Sequence, residues 1–542
     1  MHDTQQPPPA QRLSTESIEA PSKHERDGGA PHRTRTEASD LRRVASLNTS
    51  VSLPREILVI GIICLAQLMT QVAFGNTLVI LHVIGRGFGV SNPGIEAWLV
   101  AGYSLTVGTF ILVFGRMGDV FGYKRMLVLG YAWFAVWSMV AGLAVYSNYV
   151  LFVFARVLQG IGPSLCLPNG LALLGALYDN GTRKNMAFAA FGACAPGGSL
   201  LGAAFGSLFA LAWWPWTYWS LAITLACVAA GAALLIPDPQ VKVELPRSLK
   251  GAIDELDLYA ATVGVLALVL INFAWNQAPI VGWSSPYVYV LLIIGVLLVP
   301  VFFYLEIKVA PNPLIPFSVL NSTNAFVLSC IACGWGNFGI WALYLVSILE
   351  NLRGASPLLT TAYLSPLVIS GAIAAAATGF LLSVLRPAWL MVIAMTMFLV
   401  GNLLIATVPP HQIYWGQIFV TTLVAPFGMD MSFPAATVYL SNTIEKSKQG
   451  VAASLVMTIV NYSISLGLGF AGTVEVNVNR GGATPEDVLR GYRGGLYMGT
   501  GLSALGVAIS IVFVAKTYWD DRKTAQLVQD PESRNNKAVE TE

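Results

Sequence analysis

Long apolar stretches alternate with short polar turns along most of this chain. A stretch of about twenty predominantly apolar residues is long enough to cross a bilayer as a helix. By this criterion the sequence predicts about fourteen membrane spans, numbered here in chain order. They cover residues 57–80, 94–114, 126–147, 149–176, 187–211, 215–236, 257–278, 287–308, 325–348, 357–384, 388–408, 412–441, 450–474 and 494–516. The pattern therefore indicates an all-α polytopic membrane protein.

Composition agrees with a chain whose solvent is lipid. Apolar residues make up 55% of the 542 residues and charged residues only 11%, whereas soluble domains have about half and about a quarter. All cysteines lie within apolar spans, so we expect neither a disulfide framework nor a metal site. We also predict no cofactor and no nucleic-acid partner. The expected partners are a small-molecule substrate, protons and the lipid bilayer, and the protein is expected to be a monomer.

The charges outside the spans orient the chain. With both termini in the cytosol, most Lys and Arg residues of the short loops fall on the inner side, as the positive-inside rule requires. The two ends of the chain are polar and too poor in apolar residues to bury a core. We therefore predict disordered cytoplasmic tails over residues 1–52 and 519–542.

A charged turn joins spans 2 and 3. Residues 115–125 read GRMGDVFGYKR. Glycines let helix ends approach closely, a carboxylate suits a helix N-terminus or an arginine, and the cations favour the cytoplasmic face. The residues of this predicted conformational motif are Gly115, Gly118, Asp119, Gly122, Lys124 and Arg125.

This turn resembles the loop signature of the major facilitator superfamily, G-x-L-A-D-R-x-G-R-K-x-x-L, which lies between its second and third helices. The sequence departs from the signature at Val120, where the family has an arginine after the aspartate. A weak internal echo, Gly379 to Leu381 followed by Arg386, agrees with the two related halves that the resemblance implies. The echo is short enough to arise by chance.

The resemblance implies a fold of two six-helix bundles with two extra central helices. We expect the N-terminal bundle at 53–237, a cytoplasmic loop and two inserted helices at 238–310, and the C-terminal bundle at 311–518.

Span 4 contains an arginine within its apolar run. Arg156 begins the segment RVLQG, which looks like the R-x-x-Q-G motif of the superfamily. An arginine at membrane depth costs about 2.5–3.5 kcal/mol on insertion scales, so it must face protein or water. The resemblance associates Arg156 with proton transfer. The alternative is a structural cation neutralised by a neighbouring helix.

Span 5 repeats small residues at every fourth position, a pattern that permits close helix packing. It resembles the antiporter motif G-x-x-x-G-P-x-x-G-G of drug:proton exchangers, although the proline stands earlier here. Tight packing alone would also produce such a row. The predicted gating residues of span 5 are Pro196, Gly198, Gly202 and Gly206.

Span 12 carries an acid far from either helix end. Asp430 lies between Pro426 and Pro434, and each proline removes a backbone hydrogen bond. Transporters build ion and substrate sites from helices interrupted near the midplane. We therefore predict a helix broken twice around Asp430, with this carboxyl as the proton carrier. The alternative is a structural aspartate that is protonated or hydrogen-bonded.

Several polar and aromatic residues on the predicted helix faces are candidates for lining a substrate cavity. Each is also of a type that forms helix-to-helix hydrogen bonds. The candidates are Gln67, Gln71, Gln159, Asn337, Trp341 and Asn461.

Three segments, 272–279, 427–436 and 454–463, together resemble the fungal fourteen-span drug:proton antiporter branch of the aminotriazole-resistance and boron-efflux type. The resemblance implies a proton-coupled efflux antiporter that exports toxic compounds or secondary metabolites by alternating access. Residues 71–81 lack the acid that the wider branch has in span 1, so Asp430 is the expected proton site. The plasma membrane is the expected location, with the vacuolar membrane as the alternative.

Other functions remain open at this stage. One alternative is facilitated or proton-coupled transport of a small solute such as ammonium or boric acid. Another is a nutrient sensor with a transporter fold, although both predicted tails are short. We do not expect an enzyme, because the histidines are scattered, and no G-x-x-x-x-G-K-[ST] motif indicates ATP as the fuel.

Overall fold

The computed structural model describes residues 52–90, 92–178, 182–237, 251, 255–315, 321–443 and 449–529. These residues contain 14 helices that are long and apolar enough to cross a membrane. The predicted number of spans and the all-α fold class are therefore confirmed. The predicted N-terminal tail and most of the loop after span 6 lie outside the described residues.

We keep the numbering of the spans for the observed helices, several of which consist of two segments. A short helix, Leu81–Gly87, follows span 1. The spans are Leu53–Val79, Pro93–Phe121, Tyr123–Leu143, Tyr149–Gln159 with Ile161–Leu177, Thr182–Ala212, Trp216–Leu235, Leu258–Val281, Pro286–Lys308, Ser322–Ser347 with the π-helical turn Ile348–Leu352, Pro357–Leu364 with Pro366–Val384, Pro387–Ala406, Gln417–Thr443, Gln449–Val478 and Pro485–Gln529.

The C-terminal boundary of the last helix differs from the prediction. Span 14 continues to Gln529, so the beginning of the segment 519–542 is helical rather than loose. Two ion pairs support this extension. Lys516 lies 3.2 Å from Asp520 one turn later, and Arg386 at the start of span 11 pairs with Asp521. The first pair, four residues apart, stabilises the helix directly, and the second attaches its end to span 11.

The prolines do not break the helices that contain them. Span 12 is continuous through Pro426 and Pro434, and span 5 is continuous through Pro196. The prediction of a doubly broken span 12 is therefore wrong. Pro434 does free the carbonyl of Asp430, but the Thr378 hydroxyl of span 10 lies 3.3 Å from that oxygen and shares its hydrogen between it and the Ala374 carbonyl at 2.7 Å. A neighbouring helix thus supplies the bond that the proline removes.

The glycine row of span 5 packs directly on the backbone of span 1. A Cβ atom on Gly202 would lie 2.7 Å from the Cα of Val72, and one on Gly206 would lie 2.8 Å from the carbonyl oxygen of Asn76. Gly198 makes a similar approach one turn earlier. Because real Cβ atoms do not approach backbone so closely, only glycine fits at these positions.

Spans 1–6 and 9–14 form two bundles that meet along spans 2 and 13. A Cβ atom on Gly108 of span 2 would lie 2.6 Å from the backbone nitrogen of Tyr462 on span 13. The Ser465 hydroxyl of span 13 donates to the Ala101 carbonyl of span 2 at 2.8 Å. Span 7 joins this contact because the Asn276 side chain donates to the Ser465 carbonyl at 3.1 Å.

The glycine packing predicts a strong contrast between two equal substitutions in span 5. Gly202→Ala places a methyl group against the backbone of span 1, and we expect it to lower the free energy of unfolding by about 1–3 kcal/mol. Gly197→Ala adds the same methyl group where nothing lies within 4 Å. The measurement is the melting temperature of the purified protein in detergent. Equal melting temperatures for the two variants would contradict the close packing of spans 1 and 5.

Candidate functional site

The carboxyl group of Asp430 lies at the interface between the two bundles. It is partly exposed and faces Gly371 of span 10. A Cβ atom on Gly371 would lie 2.7 Å from Asp430 Oδ2 and 3.3 Å from the Cβ of Pro196 on span 5. The structure therefore brings together Pro196 and Asp430, which the sequence singled out in opposite halves of the chain. Each lies near the middle of its span.

The Asp430 carboxyl has no hydrogen-bond or ion-pair partner among the residues that the structure describes. Its backbone carbonyl, by contrast, lies 3.3 Å from the Thr378 hydroxyl. A carboxyl group at membrane depth is costly unless it is neutral or paired. Without a fixed partner, this group is free to bind a proton or the cationic group of a ligand.

Arg156 lies in a closed cage inside the N-terminal bundle. Its side chain is 0% exposed. The guanidinium group donates to the carbonyls of Leu99 and Ala73 at 3.1 Å each and also to the side chain of Gln159. The ring of Tyr103 lies 4.5 Å away in a cation–π contact. Carbonyl dipoles and the face of an aromatic ring stabilise the charge of Arg156. This agrees with the alternative that Arg156 is a structural cation. Its proposed part in proton transfer stays a prediction.

Three predicted cavity residues are buried within their own bundles. Gln159 is fully buried and donates to Ser138 at 2.6 Å while it accepts from Arg156. Asn337 is 1% exposed, and Trp341, 4% exposed, donates to the Thr421 hydroxyl at 3.0 Å. These side chains connect helices within one bundle. The prediction that they line the substrate cavity is therefore wrong. Helical periodicity shows which side chains share one face of a helix. It does not show which other helix, or which cavity, that face contacts.

The other three cavity candidates keep some access to solvent. Gln67 and Gln71 of span 1 and Asn461 of span 13 are partly exposed. Gln67 Oε1 has no hydrogen-bond partner in the described residues. Gln71 lies against Gly198 of span 5, because a Cβ atom on that glycine would be 3.0 Å from the Gln71 Cβ. These three side chains stay candidates for contact with a substrate.

The charged turn between spans 2 and 3 attaches the N-terminal bundle to the segment before span 7. Gly122 has a φ of 98°, a conformation that favours glycine. Asp119 accepts a hydrogen bond from the Tyr123 hydroxyl at 2.7 Å. Arg116 donates to the Glu255 carbonyl at 3.1 Å, outside its own bundle. The first arginine of the turn therefore contacts the segment that leads into the inserted helices.

The remaining residues of this turn divide into packed and accessible ones. Gly118 lies directly against the side chain of Asn169 on span 4, and a Cβ atom on Gly115 would be in van der Waals contact with that span. Lys124 is partly exposed, and Arg125 is exposed. This division agrees with glycines that permit close packing and cations on the surface.

Sequence reasoning missed a buried polar cluster at the ends of the spans that the charge pattern predicts to lie outside the cell. His82 Nδ1 lies 2.7 Å from Glu96 Oε2. The Tyr344 hydroxyl donates to Glu475 at 2.8 Å, and Asn351 contacts His82 Nε2 at 3.2 Å. Acids and histidines in the first or last turn of a span look like loop residues in a sequence. Their interruption of otherwise apolar runs was the signal available.

Comparison with known proteins supplies independent information on the family. The sequence model of the Major Facilitator Superfamily matches residues 63–469. A low affinity ammonium transporter of Saccharomyces cerevisiae is 51% identical over 86% of this chain and 89% of its own length. The efflux pump terG of Aspergillus terreus is 42% identical over 93% of this chain and 94% of its own length.

A solved structure supports the fold. The crystal structure of a POT family transporter in complex with 5-aminolevulinic acid superposes with a TM-score of 0.61. The match covers 84% of this chain and 95% of that chain at 15% sequence identity. At this identity the likeness concerns the arrangement of helices and not the ligand.

The cage around Arg156 predicts that lysine is a poor replacement. A lysine has one point charge and does not reach the two carbonyls and the glutamine together, so Arg156→Lys should lower the free energy of unfolding by roughly 2–4 kcal/mol. Arg490→Lys, at an exposed position in the outer part of span 14, is the matched control. Melting temperatures of both variants in detergent measure the difference. An unchanged melting temperature for Arg156→Lys would show that the cage contributes little to stability.

Proposed function

The chain belongs to the Major Facilitator Superfamily, and we propose that it is a proton-coupled efflux antiporter in which Asp430 carries the proton. The resemblance predicted from the sequence is confirmed, and the protein is a multi-pass membrane transporter of small molecules rather than an enzyme. Our proposal concerns three further points, which are the coupling ion, the direction of transport and the cargo.

The position of Asp430 is the observation that carries the proposal. A proton carrier in an alternating-access transporter must lie where both bundles meet, so that each bundle movement changes its surroundings. Asp430 meets this requirement, because Gly371 and Pro196 place the two bundles beside its carboxyl. The absence of a fixed ion-pair partner in the described residues leaves the group free to change its protonation state.

Two observations favour export as the direction. The glycine row of span 5, which resembles the antiporter motif, lies on span 1 at backbone contact. The relative terG, 42% identical over nearly its whole length, is named an efflux pump. The energy is sufficient, since about 100 mV gives about 2.3 kcal/mol per proton and one pH unit adds about 1.4 kcal/mol. This sum sustains a solute gradient of roughly a few hundred-fold at one proton per molecule.

Movement of ammonium is the second candidate. The relative that is 51% identical is named a low affinity ammonium transporter. A carboxyl group with no basic partner among the described residues also suits a small cation, which would compensate its charge as a proton does. Under this alternative Asp430 contacts the cargo itself. The two candidates therefore share a site and differ in what binds there.

The proton-carrier role predicts the behaviour of Asp430→Asn in sealed vesicles. Asparagine keeps the size of the side chain but cannot release a proton, so substrate movement driven by a pH difference should be abolished while the amount of protein in the membrane is unchanged. The probes are radiolabelled methylammonium and radiolabelled 3-aminotriazole, tested separately. Asp487→Asn, at the outer end of span 14, is the control that removes an equal charge away from the interface. Full pH-driven transport by Asp430→Asn would refute the role.

A second pair of variants tests the same carboxyl without changing it. Gly371→Ala places a methyl group 2.7 Å from Asp430 Oδ2 and must displace the carboxyl, whereas Gly379→Ala on the same helix meets nothing within 4 Å. We expect slower transport from the first variant only, with both proteins equally stable. Equal transport by the two would mean that the space around the carboxyl is unimportant.

Growth tests distinguish the two cargo classes. A host that expresses the protein should tolerate more 3-aminotriazole than the empty host if the protein exports toxic compounds. If ammonium is the cargo, expression should instead restore growth at low ammonium in a host without its own ammonium transporters. Asp430→Asn should remove whichever effect appears. Gain of ammonium-dependent growth without any change in tolerance would reject the efflux assignment.

A further inference from the structure

Two buried acids lie at the ends of the inserted helices that the charge pattern predicts to face the cytosol. Asp257 immediately precedes span 7, and Glu306 lies in the last turn of span 8. The two residues are 5% and 3% exposed. Neither belongs to a motif that the sequence analysis singled out, and neither takes part in the proposed function.

Spans 7 and 8 pack as an antiparallel pair, and two close contacts define their register. A Cβ atom on Gly264 of span 7 would lie 2.9 Å from the ring of Phe302 on span 8. A Cβ atom on Gly295 of span 8 would lie 2.9 Å from the side chain of Ile271 on span 7. Both contacts fit the same alignment of the two helices, which can therefore be continued to their cytosolic ends.

This register brings the two acids together. It places Glu306 beside the buried residue Ala260, one helical turn after Asp257. The two carboxyl groups are close enough for their charges to repel each other. A small residue at position 260 leaves the space between the helices to the two acids.

The Glu306 carboxyl lacks a hydrogen-bond partner among the residues that the structure describes. Both of its oxygens are buried without a partner, and so is Oδ2 of Asp257. The backbone amides of Leu314 and Ile315 lie near the Glu306 carboxyl, but neither forms a hydrogen bond of good geometry with it. A charged carboxylate buried in this way is costly, whereas a protonated carboxyl group is neutral.

We propose that Asp257 and Glu306 share one proton and form a cytosolic proton-binding site that is linked to the charged turn through Arg116. We call these two acids the inner acid pair. The inference goes beyond the proposed function, because the pair lies on the inserted helices and binds its proton whether or not Asp430 carries the coupled one.

The chemistry of the pair favours a proton over a metal ion. Two neighbouring carboxyl groups that are poorly solvated do not both ionise readily, so they titrate as a pair and retain one proton. A proton needs no cavity of its own. A metal ion such as Ca²⁺ or Mg²⁺ needs about six oxygen ligands, and no group of three or more acidic, histidine or cysteine side chains suited to a metal occurs in the described part of the chain.

Arg116 connects this pair to the charged turn between spans 2 and 3. Its Nε donates to the carbonyl of Glu255 at 3.1 Å, two residues before Asp257. Burial raises the pKa of the Asp257 carboxyl, and the Ala260 amide and the Arg116 guanidinium oppose part of this rise. Arg116 is the cation that acts on the pair from the packed elements. Release of the shared proton would therefore strengthen the attraction between the pair and the charged turn.

The dependence of stability on pH tests the shared proton. The folded protein would hold a proton that the unfolded chain releases, so the pair favours folding in acid and opposes it increasingly as the pH rises. Glu306→Gln keeps the size of the side chain and stays neutral at every pH. The melting temperature of this variant in detergent, minus that of the starting protein, should grow by roughly 1–3 °C between about pH 4.5 and about pH 8.

Two further variants accompany this measurement. Glu486→Gln, at an exposed position near the start of span 14, removes an equal charge, and its difference from the starting protein should not change in this way. Asp257→Asn removes the other half of the pair and should also reduce the pH response. A difference for Glu306→Gln that stays constant with pH would overturn the proposal.

The infrared carbonyl stretch of a protonated carboxyl group provides a readout that a change in packing alone would not produce. The full chain is measured in lipid nanodiscs at about pH 7, where exposed carboxyl groups are ionised. The difference between the starting protein and Glu306→Gln should contain the band of one protonated carboxyl group. Arg116→Gln removes the cation that favours ionisation, so the band should persist to a higher pH. Absence of the band from the difference spectrum at about pH 7 would reject the shared proton.

Two controls separate this proposal from a bound cation and from the proposed function. Stabilisation of the starting protein, but not of Glu306→Gln, by added Na⁺, K⁺ or Mg²⁺ would show that a cation occupies the pair and would overturn the proposal. In an Asp430→Asn background the band removed by Glu306→Gln should remain, because the two sites use different groups. Its loss in that background would reject an independent site, while the vesicle transport assays decide the role of Asp430 in either case.

Discussion

A polar group placed in the bilayer is costly unless it finds a partner inside the protein, and the rest of this structure depends on that constraint. The Arg156 guanidinium is met by two carbonyls, a glutamine and an aromatic ring. The carbonyl that Pro434 frees is met by the Thr378 hydroxyl. The Asp430 carboxyl has no such partner in the described part of the chain, a property that it shares with Gln67 Oε1 and several other side-chain atoms, but it is an acid placed where the two bundles meet. A carboxyl group without a partner can bind and release a proton, and a transporter can couple this step to the movement of its substrate.

The number of spans could be predicted because it depends only on lengths of apolar sequence, which the bilayer thickness sets directly. The glycine row of span 5 was readable for a similar reason, since a four-residue repeat of small side chains marks a helix contact whatever its partner is. The break at Pro434 was predicted wrongly because the compensating hydroxyl comes from span 10, which no local pattern reveals. Gln159 and Trp341 were assigned to a cavity because periodicity shows only that they lie on a polar helix face. It does not show that this face contacts another helix.

The acids at the predicted outer ends of the spans show a second limit of sequence reasoning, because their burial depends on residues that are distant in the sequence. Glu96 lies in the first turn of its helix, where an acid is common because it suits the helix dipole. Its position in the first turn does not by itself distinguish it from an exposed capping residue. Its burial follows from His82, which the turn after span 1 brings beside it, and from the opposite bundle above it. Sites built where two bundles meet are therefore the least visible in one sequence, and the site around Asp430 is of that kind.

The placement of strong and weak contacts along the bundle interface suits a rocking motion. Span 13 is tied to span 2 by the buried bond from Ser465 to Ala101, and span 7 joins the same point through Asn276. Displacement in a rotation grows with distance from the pivot, so contacts far from the pivot must separate when the bundles rock. The contact between His82 and Asn351 joins the two bundles near the ends of spans 1 and 9, so a rocking motion would separate these two side chains before those of spans 2 and 13.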